Sequence, residues 1–131
     1  MKLGYVILYV RDVESTIGFY ETAFGMECRF RHSAEGNDYA EMETGQTVLA
    51  FASETLADSH EFDYAKVRPD RSPPAIEIAL VTDDVEAAYE RAIQGGAVAV
   101  RPPADKPWGQ TISYVKDANG FLIEICSPVG G

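Results

Sequence analysis

Two glutamates, Glu77 and Glu124, lie where a carboxylate is unexpected. Each belongs to a short segment rich in apolar and β-branched residues, which predicts a strand. Because side chains alternate across a strand, each carboxylate shares a face with apolar neighbours. An unpaired carboxylate is costly to bury, so we expect each to meet an arginine, a metal ion, a hydroxyl group or a water-filled cavity. Two interpretations stay open: a salt bridge or exposed edge, and a functional cavity.

The single tryptophan, Trp108, is a second candidate for a ligand contact. It lies in the loop Lys106-Pro107-Trp108-Gly109-Gln110, outside the predicted strands. A tryptophan in such a loop can stack on a planar or cationic ligand, and it can equally pack over the end of a sheet. Gln110 beside it offers an amide that both donates and accepts hydrogen bonds.

The elements that must position these side chains occur twice. Tyr5–Val10 predicts a strand, Asp12 an N-cap and Val13–Phe24 a helix, with Gly25 as its C-cap. The strand Glu77–Val81 and an Asp84-capped helix repeat this order, and the tripeptide Asp12-Val13-Glu14 recurs as Asp84-Val85-Glu86. The chain is therefore an internal duplication of a strand–helix unit.

Three further strands follow each helix, so each half has the order β-α-β-β-β. The first strand after the second helix is predicted over Ala97–Val100. The fold class predicted is α+β, with two tandem βαβββ modules in one domain spanning residues 1–131. The modules cover residues 1–52 and 75–131, and the polar, proline-containing segment 53–74 is interpreted as the linker. One face of each sheet covers its helix, and the other curves around a pocket.

The net charge and the cysteine content limit which binding partners and which cellular compartment we expect. The chain of 131 residues has 11 basic and 21 acidic residues, a formal net charge of −10. Such a surface disfavours nucleic acid and anionic membranes and is compatible with a neutral or cationic small ligand. Cys28 and Cys126 show no metal-ligand or CxxC spacing, so we expect free thiols in a reducing cytoplasm. No segment approaches the length of a membrane span.

Two motifs resemble signatures of the vicinal oxygen chelate superfamily, which includes glyoxalase I, dioxygenases and bleomycin-resistance proteins. Phe19-Tyr20-Glu21-Thr22-Ala23-Phe24-Gly25 is similar to its first-helix signature, and Asp117-Ala118-Asn119-Gly120-Phe121-Leu122-Ile123-Glu124 to its closing one. The resemblance implies paired βαβββ modules that form cup-shaped sheets and a homodimer.

The resemblance also implies four positions for divalent-metal ligands. They fall on Tyr5, near Ala50, on Glu77 and on Glu124, and only Glu124 matches the glyoxalase I pattern of His and Glu. A tyrosine phenol is ordinarily protonated at neutral pH, and alanine has no donor atom. Glu77 and Glu124 alone would hold a hard cation such as Mg²⁺ or Mn²⁺ only weakly. We therefore expect no resident cofactor, and binding of a divalent metal stays open as the alternative.

The bleomycin-resistance branch is similar at Trp108-Gly109-Gln110-Thr111. By this resemblance the chain binds an aromatic or cationic small molecule without a full metal site, and the residues expected to line the site are Trp108, Tyr5, Tyr9, Phe51, Gln110, Glu41, Glu77 and Glu124. The alternative is a metal-dependent lyase or isomerase of glyoxalase type, with Glu77 and Glu124 as metal ligands or catalytic base.

Overall fold

The structure is a computed structural model, and it describes residues 1–130. Contacts divide the chain into two compact units, of which the first spans Met1–Lys66 and the second begins at Val67. Both units contain helices beside a mixed four-stranded sheet, so the predicted α+β class is confirmed. None of the helices within residues 1–130 is long and apolar enough to cross a membrane.

The first unit contains one sheet and two helices. Its sheet has the order β1-β4-β3-β2, in which β1 and β4 are parallel and the other neighbours are antiparallel. The parallel pair follows from the crossover through the first helix. The elements are β1 (Tyr5–Val10), α1 (Val13–Phe24), β2 (Cys28–Ala34), β3 (Asn37–Met42), β4 (Val48–Ser53) and α2 (Glu54–Asp58).

The second unit repeats this topology. Its sheet has the order β5-β8-β7-β6, again with the first pair parallel and the others antiparallel. The two predicted βαβββ modules are therefore present. The elements are β5 (Glu77–Val81), α3 (Val85–Gln94), β6 (Val98–Asp105), β7 (Thr111–Lys116) and β8 (Leu122–Cys126).

Side-chain caps fix where the two main helices begin. An Asp12 carboxylate oxygen accepts a hydrogen bond from the Ser15 backbone N–H at 3.0 Å, and Asp84 accepts one from Ala87 at 3.1 Å. Gly25 ends α1 in the left-handed region at φ 67°, where a residue without Cβ is favoured. The predicted caps of both helices are thus confirmed.

Two stretches differ from the sequence-based prediction. Helix α2 lies inside the segment 53–74, which was interpreted as the linker. Ser53 caps this helix by accepting a hydrogen bond from the Leu56 N–H at 3.1 Å.

Strand β6 runs to Asp105, whereas the sequence predicted it to end at Val100. It includes two consecutive prolines, and an edge strand with an irregular register tolerates them because their missing N–H groups break no inner ladder.

A tight turn positions the last strand. One Asp117 carboxylate oxygen accepts hydrogen bonds from the backbone N–H groups of Asn119, Gly120 and Phe121, each at 2.9 Å. Gly120 has φ +107°, and a Cβ there would lie 2.5 Å from the Arg68 carbonyl oxygen. The closing motif therefore serves first to start β8 in the correct register.

Candidate active site

The two predicted carboxylates meet on one face of the second sheet. Glu124 on β8 is paired in register with Ala79 on β5 and with Tyr114 on β7. Glu77 lies two residues before Ala79 on β5, so it shares the same face. The carboxyl groups of Glu77 and Glu124 hydrogen-bond to each other. We call this surface the carboxylate face of the second sheet.

Hydroxyl and thiol groups complete the surroundings of Glu124. Tyr114 Oη donates to Glu124 Oε1 at 3.2 Å, and Cys126 lies two residues further along β8, on the same face. Glu124 is 7% exposed, whereas Glu77 is exposed. Within residues 1–130 no salt bridge involves either glutamate. Of the partners expected from sequence, a hydroxyl group is therefore present and an arginine is not.

The contact between the two carboxyl groups makes their pKa values differ. The hydrogen bond to Glu124, reinforced by partial desolvation of the carboxyl group and by the charge of Glu124, raises the pKa of Glu77 to about 7. Burial by itself would raise the pKa of Glu124, but hydrogen bonds from Glu77, Cys126 and Tyr114 hold it below its usual range. The pair therefore keeps one proton near neutral pH, and the apparent pKa values belong to the pair.

The residues present do not match a four-ligand metal centre. Within residues 1–130 no group of three or more His, Cys, Asp or Glu side chains could hold a metal ion. Ala50 is buried on β4 without a donor atom. The two carboxylates would supply only part of the shell of a hard cation, with water as the other ligands.

Trp108 and Gln110 are joined by a hydrogen bond in the loop before β7. Trp108 Nε1 donates to Gln110 Oε1 at 2.8 Å, and Gln110 Nε2 donates to the Ser127 carbonyl at 2.9 Å. The indole is 56% exposed, so it does not pack over the sheet end as a buried plug. Its ring is held in place and open to solvent.

In the first unit, Tyr5 and Tyr9 lie on the predicted strand β1, four residues apart and therefore on the same face. Tyr5 is 55% exposed, and the Tyr9 ring packs edge-on against Tyr64 with centroids 5.1 Å apart. Glu41 accepts a hydrogen bond from Tyr39 Oη at 2.8 Å and forms a salt bridge with Arg29 at 3.3 Å. The negative charge of Glu41 is thus already paired.

The prediction that Phe51 lines a ligand site is corrected by its packing. Phe51 is 0% exposed, and its ring centroid lies 4.8 Å from that of Tyr20 on α1. Its register partner on β1 is Leu8, which is also buried. Alternation therefore directs Phe51 into the core between sheet and helix, opposite to Tyr5 and Tyr9.

The sequence analysis missed Tyr114 and a neighbouring cavity. A cavity of about 350 Å³ is lined by Arg101, Pro102, Ala104, Lys106, Ile112 and Tyr114. Alternation of Ile112 and Tyr114 along β7 could have placed them on one face. The pairing of Tyr114 with Arg101 on β6 and with Glu124 on β8 depends on the register between strands, which the sequence pattern did not specify.

These features agree with comparisons to known proteins. A family model described as the Glyoxalase/Bleomycin resistance protein/Dioxygenase superfamily matches residues 2–125. The chain belongs to this superfamily. It is 30% identical over 139 aligned residues to a lactoylglutathione lyase of Neisseria meningitidis serogroup A, covering 100% of this chain and 94% of the relative. A probable lactoylglutathione lyase of Vibrio cholerae is 24% identical, covering 95% of this chain and 88% of the relative.

Solved structures of other superfamily proteins share the fold. A glyoxalase-related enzyme from Fulvimarina pelagi has a TM-score of 0.80 at 21% identity, covering 97% of this chain and 88% of that one. A glyoxalase/bleomycin resistance protein/dioxygenase from Nocardioides has a TM-score of 0.73 at 22% identity, covering 100% of this chain and 85% of that one. These similarities show that the chain shares the fold of these proteins.

Proposed function

We propose that this superfamily member is a lyase or isomerase that moves a proton at a carbon next to a carbonyl group. The observation that carries the proposal is the hydrogen-bonded pair of Glu77 and Glu124, with the Tyr114 hydroxyl donating to Glu124. General acid–base catalysis needs one group that is ionised and a second group that is protonated at the working pH. The pair meets this requirement at neutral pH.

The ionisation states assign a role to each carboxyl group. Glu124 is the base, because its lowered pKa keeps it ionised at neutral pH. Glu77 is the acid, because a pKa of about 7 leaves it protonated in a large fraction of molecules. Glu77 is also exposed, so a carbonyl oxygen can reach its proton.

The proposed step balances without an oxidant or reductant. Glu124 takes a proton from the carbon next to the carbonyl, and the electron pair of the broken C–H bond forms the C=C bond of an enol. The carbonyl oxygen receives the proton of Glu77. In a substrate whose deprotonated carbon carries a hydroxyl group, Glu124 then returns its proton to the former carbonyl carbon. The hydroxyl group gives its proton to Glu77 as its oxygen becomes the new carbonyl, which completes the isomerisation and restores the pair.

Relatives named lactoylglutathione lyase support this reaction class and suggest the first substrate to test. In the lyase direction the acidic C–H of S-lactoylglutathione is next to its thioester carbonyl. The rearranged product is a hemithioacetal, which separates into an aldehyde and a thiol. Both directions can be followed by the ultraviolet absorbance of the thioester.

The test compares Glu124→Gln and Glu77→Gln with Glu90→Gln on the exposed side of α3. We expect about a 100-fold or greater loss of kcat for Glu124→Gln, a similar loss for Glu77→Gln and less than a twofold change for the control. Turnover by the wild type should persist in EDTA. Equal activity of all variants would overturn the proposal, and activity that requires Mg²⁺ or Mn²⁺ would favour the metal-dependent alternative.

A second candidate, sequestration of an aromatic ligand, rests on the exposed and fixed indole of Trp108. Because Trp108 is the single tryptophan, its fluorescence reports a stacked ligand directly. Titration with bleomycin and with simpler aromatic cations should quench it, and Gln110→Ala should weaken the quenching by releasing the indole. The absence of quenching by every probe would exclude this candidate.

A further inference from the structure

The turn between β7 and β8 contains the dipeptide Asn119-Gly120. The chain has two asparagines, Asn37 and Asn119, and only Asn119 precedes a glycine. A backbone nitrogen can attack the side-chain amide carbon of the asparagine before it, and a glycine nitrogen does so most readily because no Cβ hinders it. Asn119 is therefore the asparagine of this chain that is more prone to this attack.

The nitrogen that would attack is restrained in the folded turn. The Gly120 N–H donates to an Asp117 carboxylate oxygen at 2.9 Å and to the Asp117 carbonyl oxygen at 3.2 Å. Ring closure requires this nitrogen to give up both contacts and to lose its proton, which a neighbouring negative charge disfavours. The closed turn should therefore prevent the reaction.

Water, the second reactant, can reach the turn from outside. Ala118 is exposed and Asn119 is half-buried, whereas Gly120 is buried. The side-chain amide of Asn119 thus lies near solvent while its attacker does not. Protection therefore depends on the hydrogen bonds of Gly120 to Asp117, and it should be lost when the turn opens locally.

We propose that Asn119 is a self-modification site whose reaction is gated by opening of the turn between β7 and β8. In the open turn the Gly120 nitrogen forms a bond to Cγ of Asn119, the Cγ–Nδ2 bond breaks, and ammonia leaves with the former amide proton of Gly120. Water then opens the five-membered succinimide ring at either of its carbonyl carbons. The products are an aspartate or an isoaspartate at position 119, and no oxidant or reductant is needed.

The two products should differ in whether the turn can close again. Isoaspartate adds one carbon atom to the main chain before Gly120. That residue has φ +107°, and even a Cβ on it would lie 2.5 Å from the Arg68 carbonyl oxygen, so a displaced main chain has little room. Strand β8, which carries Glu124, begins directly after the turn. Isoaspartate should therefore displace the start of β8, whereas aspartate keeps the length of the main chain.

The experiment follows both asparagines in the same full-length chain. The protein is incubated in oxygen-18 water, once folded and once in urea above its unfolding midpoint, at the same pH and temperature. Digestion in ordinary water follows. Trypsin cleavage after Lys116 releases Asn119 in residues 117–131, and Asn37 lies in residues 32–66. Because ring opening incorporates one solvent oxygen, mass spectrometry counts only the modification that occurred during the incubation.

The unfolded chain tests the site. Asn119 should react at least about tenfold faster than Asn37, which precedes Asp38. Gly120→Ala should slow the reaction at Asn119 about tenfold in urea and leave Asn37 unchanged, because the added Cβ hinders the attacking nitrogen. Equal rates at the two asparagines, or no effect of Gly120→Ala, would overturn the proposal.

The folded chain tests the gate. Asn119 should react at least about tenfold more slowly than in urea, because the turn is closed most of the time. Asp117→Ser leaves a weaker acceptor for the Gly120 N–H and should speed the reaction about threefold or more, whereas the exposed control Asp63→Ser should not. If Asp117→Ser fails to fold, urea below the midpoint tests the wild type, in which the rate at Asn119 should rise with urea. Equal rates in folded and unfolded chains, or a rate independent of urea, would overturn the gate.

Hydrogen exchange at the β8 amides tests the consequence. Ion exchange isolates the modified chains after refolding, because either product adds one negative charge. Asn119→Asp represents the aspartate product alone, so protection that this variant keeps and the modified chains lose is due to isoaspartate. We expect a loss of at least about tenfold. Equal protection in both would overturn the expected displacement of β8. No step of the modification uses Glu77 or Glu124, so these outcomes are independent of the proposed proton transfer.

Discussion

The Tyr114 hydroxyl donates to Glu124 Oε1 across neighbouring strands at a distance of 3.2 Å. This contact stabilises the ionised form of a carboxylate that burial alone would favour as the neutral acid. It also joins the acid–base pair to the adjacent cavity, because the same tyrosine lines that cavity. Tyr114 is therefore a positioning residue in the proposed reaction.

Replacement of Tyr114 by Phe should slow proton transfer without abolishing it. The loss of one hydrogen bond raises the pKa of Glu124 and leaves its carboxylate less well oriented, so we expect kcat to fall about 3- to 10-fold. Tyr89→Phe on α3 is the control, with kcat unchanged. The low-pH limb of the kcat/KM profile should also move upward in Tyr114→Phe alone; an unchanged profile would contradict this role.

The pH dependence of kcat/KM follows from the two proton affinities. Glu77 must be protonated to act as the acid, and its pKa is about 7, so the rate should fall tenfold per pH unit above that value. Glu124 must be ionised, and its lowered pKa places the acid limb below the usual carboxyl range. In Glu77→Gln the alkaline limb near pH 7 should disappear. Its persistence in that variant would assign the limb to another group.

Substitution of Gly120 should destabilise the fold through the turn that starts β8. A Cβ at this position would lie 2.5 Å from the Arg68 carbonyl oxygen, in addition to the strain of φ +107°. We expect Gly120→Ala to lower the free energy of unfolding by about 2–4 kcal/mol. The control is Gly109→Ala, where φ is +85° and no atom lies within 4 Å, with a loss of about 1 kcal/mol. Equal losses in urea titrations would mean that the close approach to Arg68 has no energetic effect.

The Cys126 thiol should be inert in the folded chain. It is 2% exposed, and burial, with the hydrogen bond to Glu124, raises its pKa to about 11. In a Cys28→Ser background, reaction with a disulfide reagent at pH 8 should be about 100-fold slower than for the unfolded chain, because the thiolate is the reactive form. Reaction at the rate of the unfolded thiol would show that Cys126 is neither buried nor protonated.

Much of the fold could be predicted because local signals agreed with each other. The caps Asp12 and Asp84, the helical spacing after them and the repeated tripeptide specified two βαβββ modules. The end of β6 could not be predicted in this way. Consecutive prolines favour the end of a strand, and only the edge position of β6 in the sheet makes them acceptable.

Part of the candidate site could also be predicted from local sequence patterns. Period-two alternation placed Glu77 and Glu124 on faces where a carboxylate needs a partner, without specifying which partner. That partner depends on register between separate strands, which brings Tyr114 on β7 beside Glu124 on β8. The error at Phe51 has the same origin, because its aromatic character did not reveal that its face of β4 packs against α1.

The shared proton can be measured directly by carbon-13 NMR titration of the glutamate side-chain carboxyl groups. The account predicts that one carboxyl, assigned to Glu77, titrates near pH 7 in the wild type. In Glu124→Gln, which lacks the neighbouring negative charge, that transition should move down toward the ordinary range near pH 4 to 5, whereas in Glu90→Gln it should stay in place. If every glutamate of the wild type titrates below pH 5, the two carboxyl groups do not share a proton at neutral pH, and the proposed acid–base pair is contradicted.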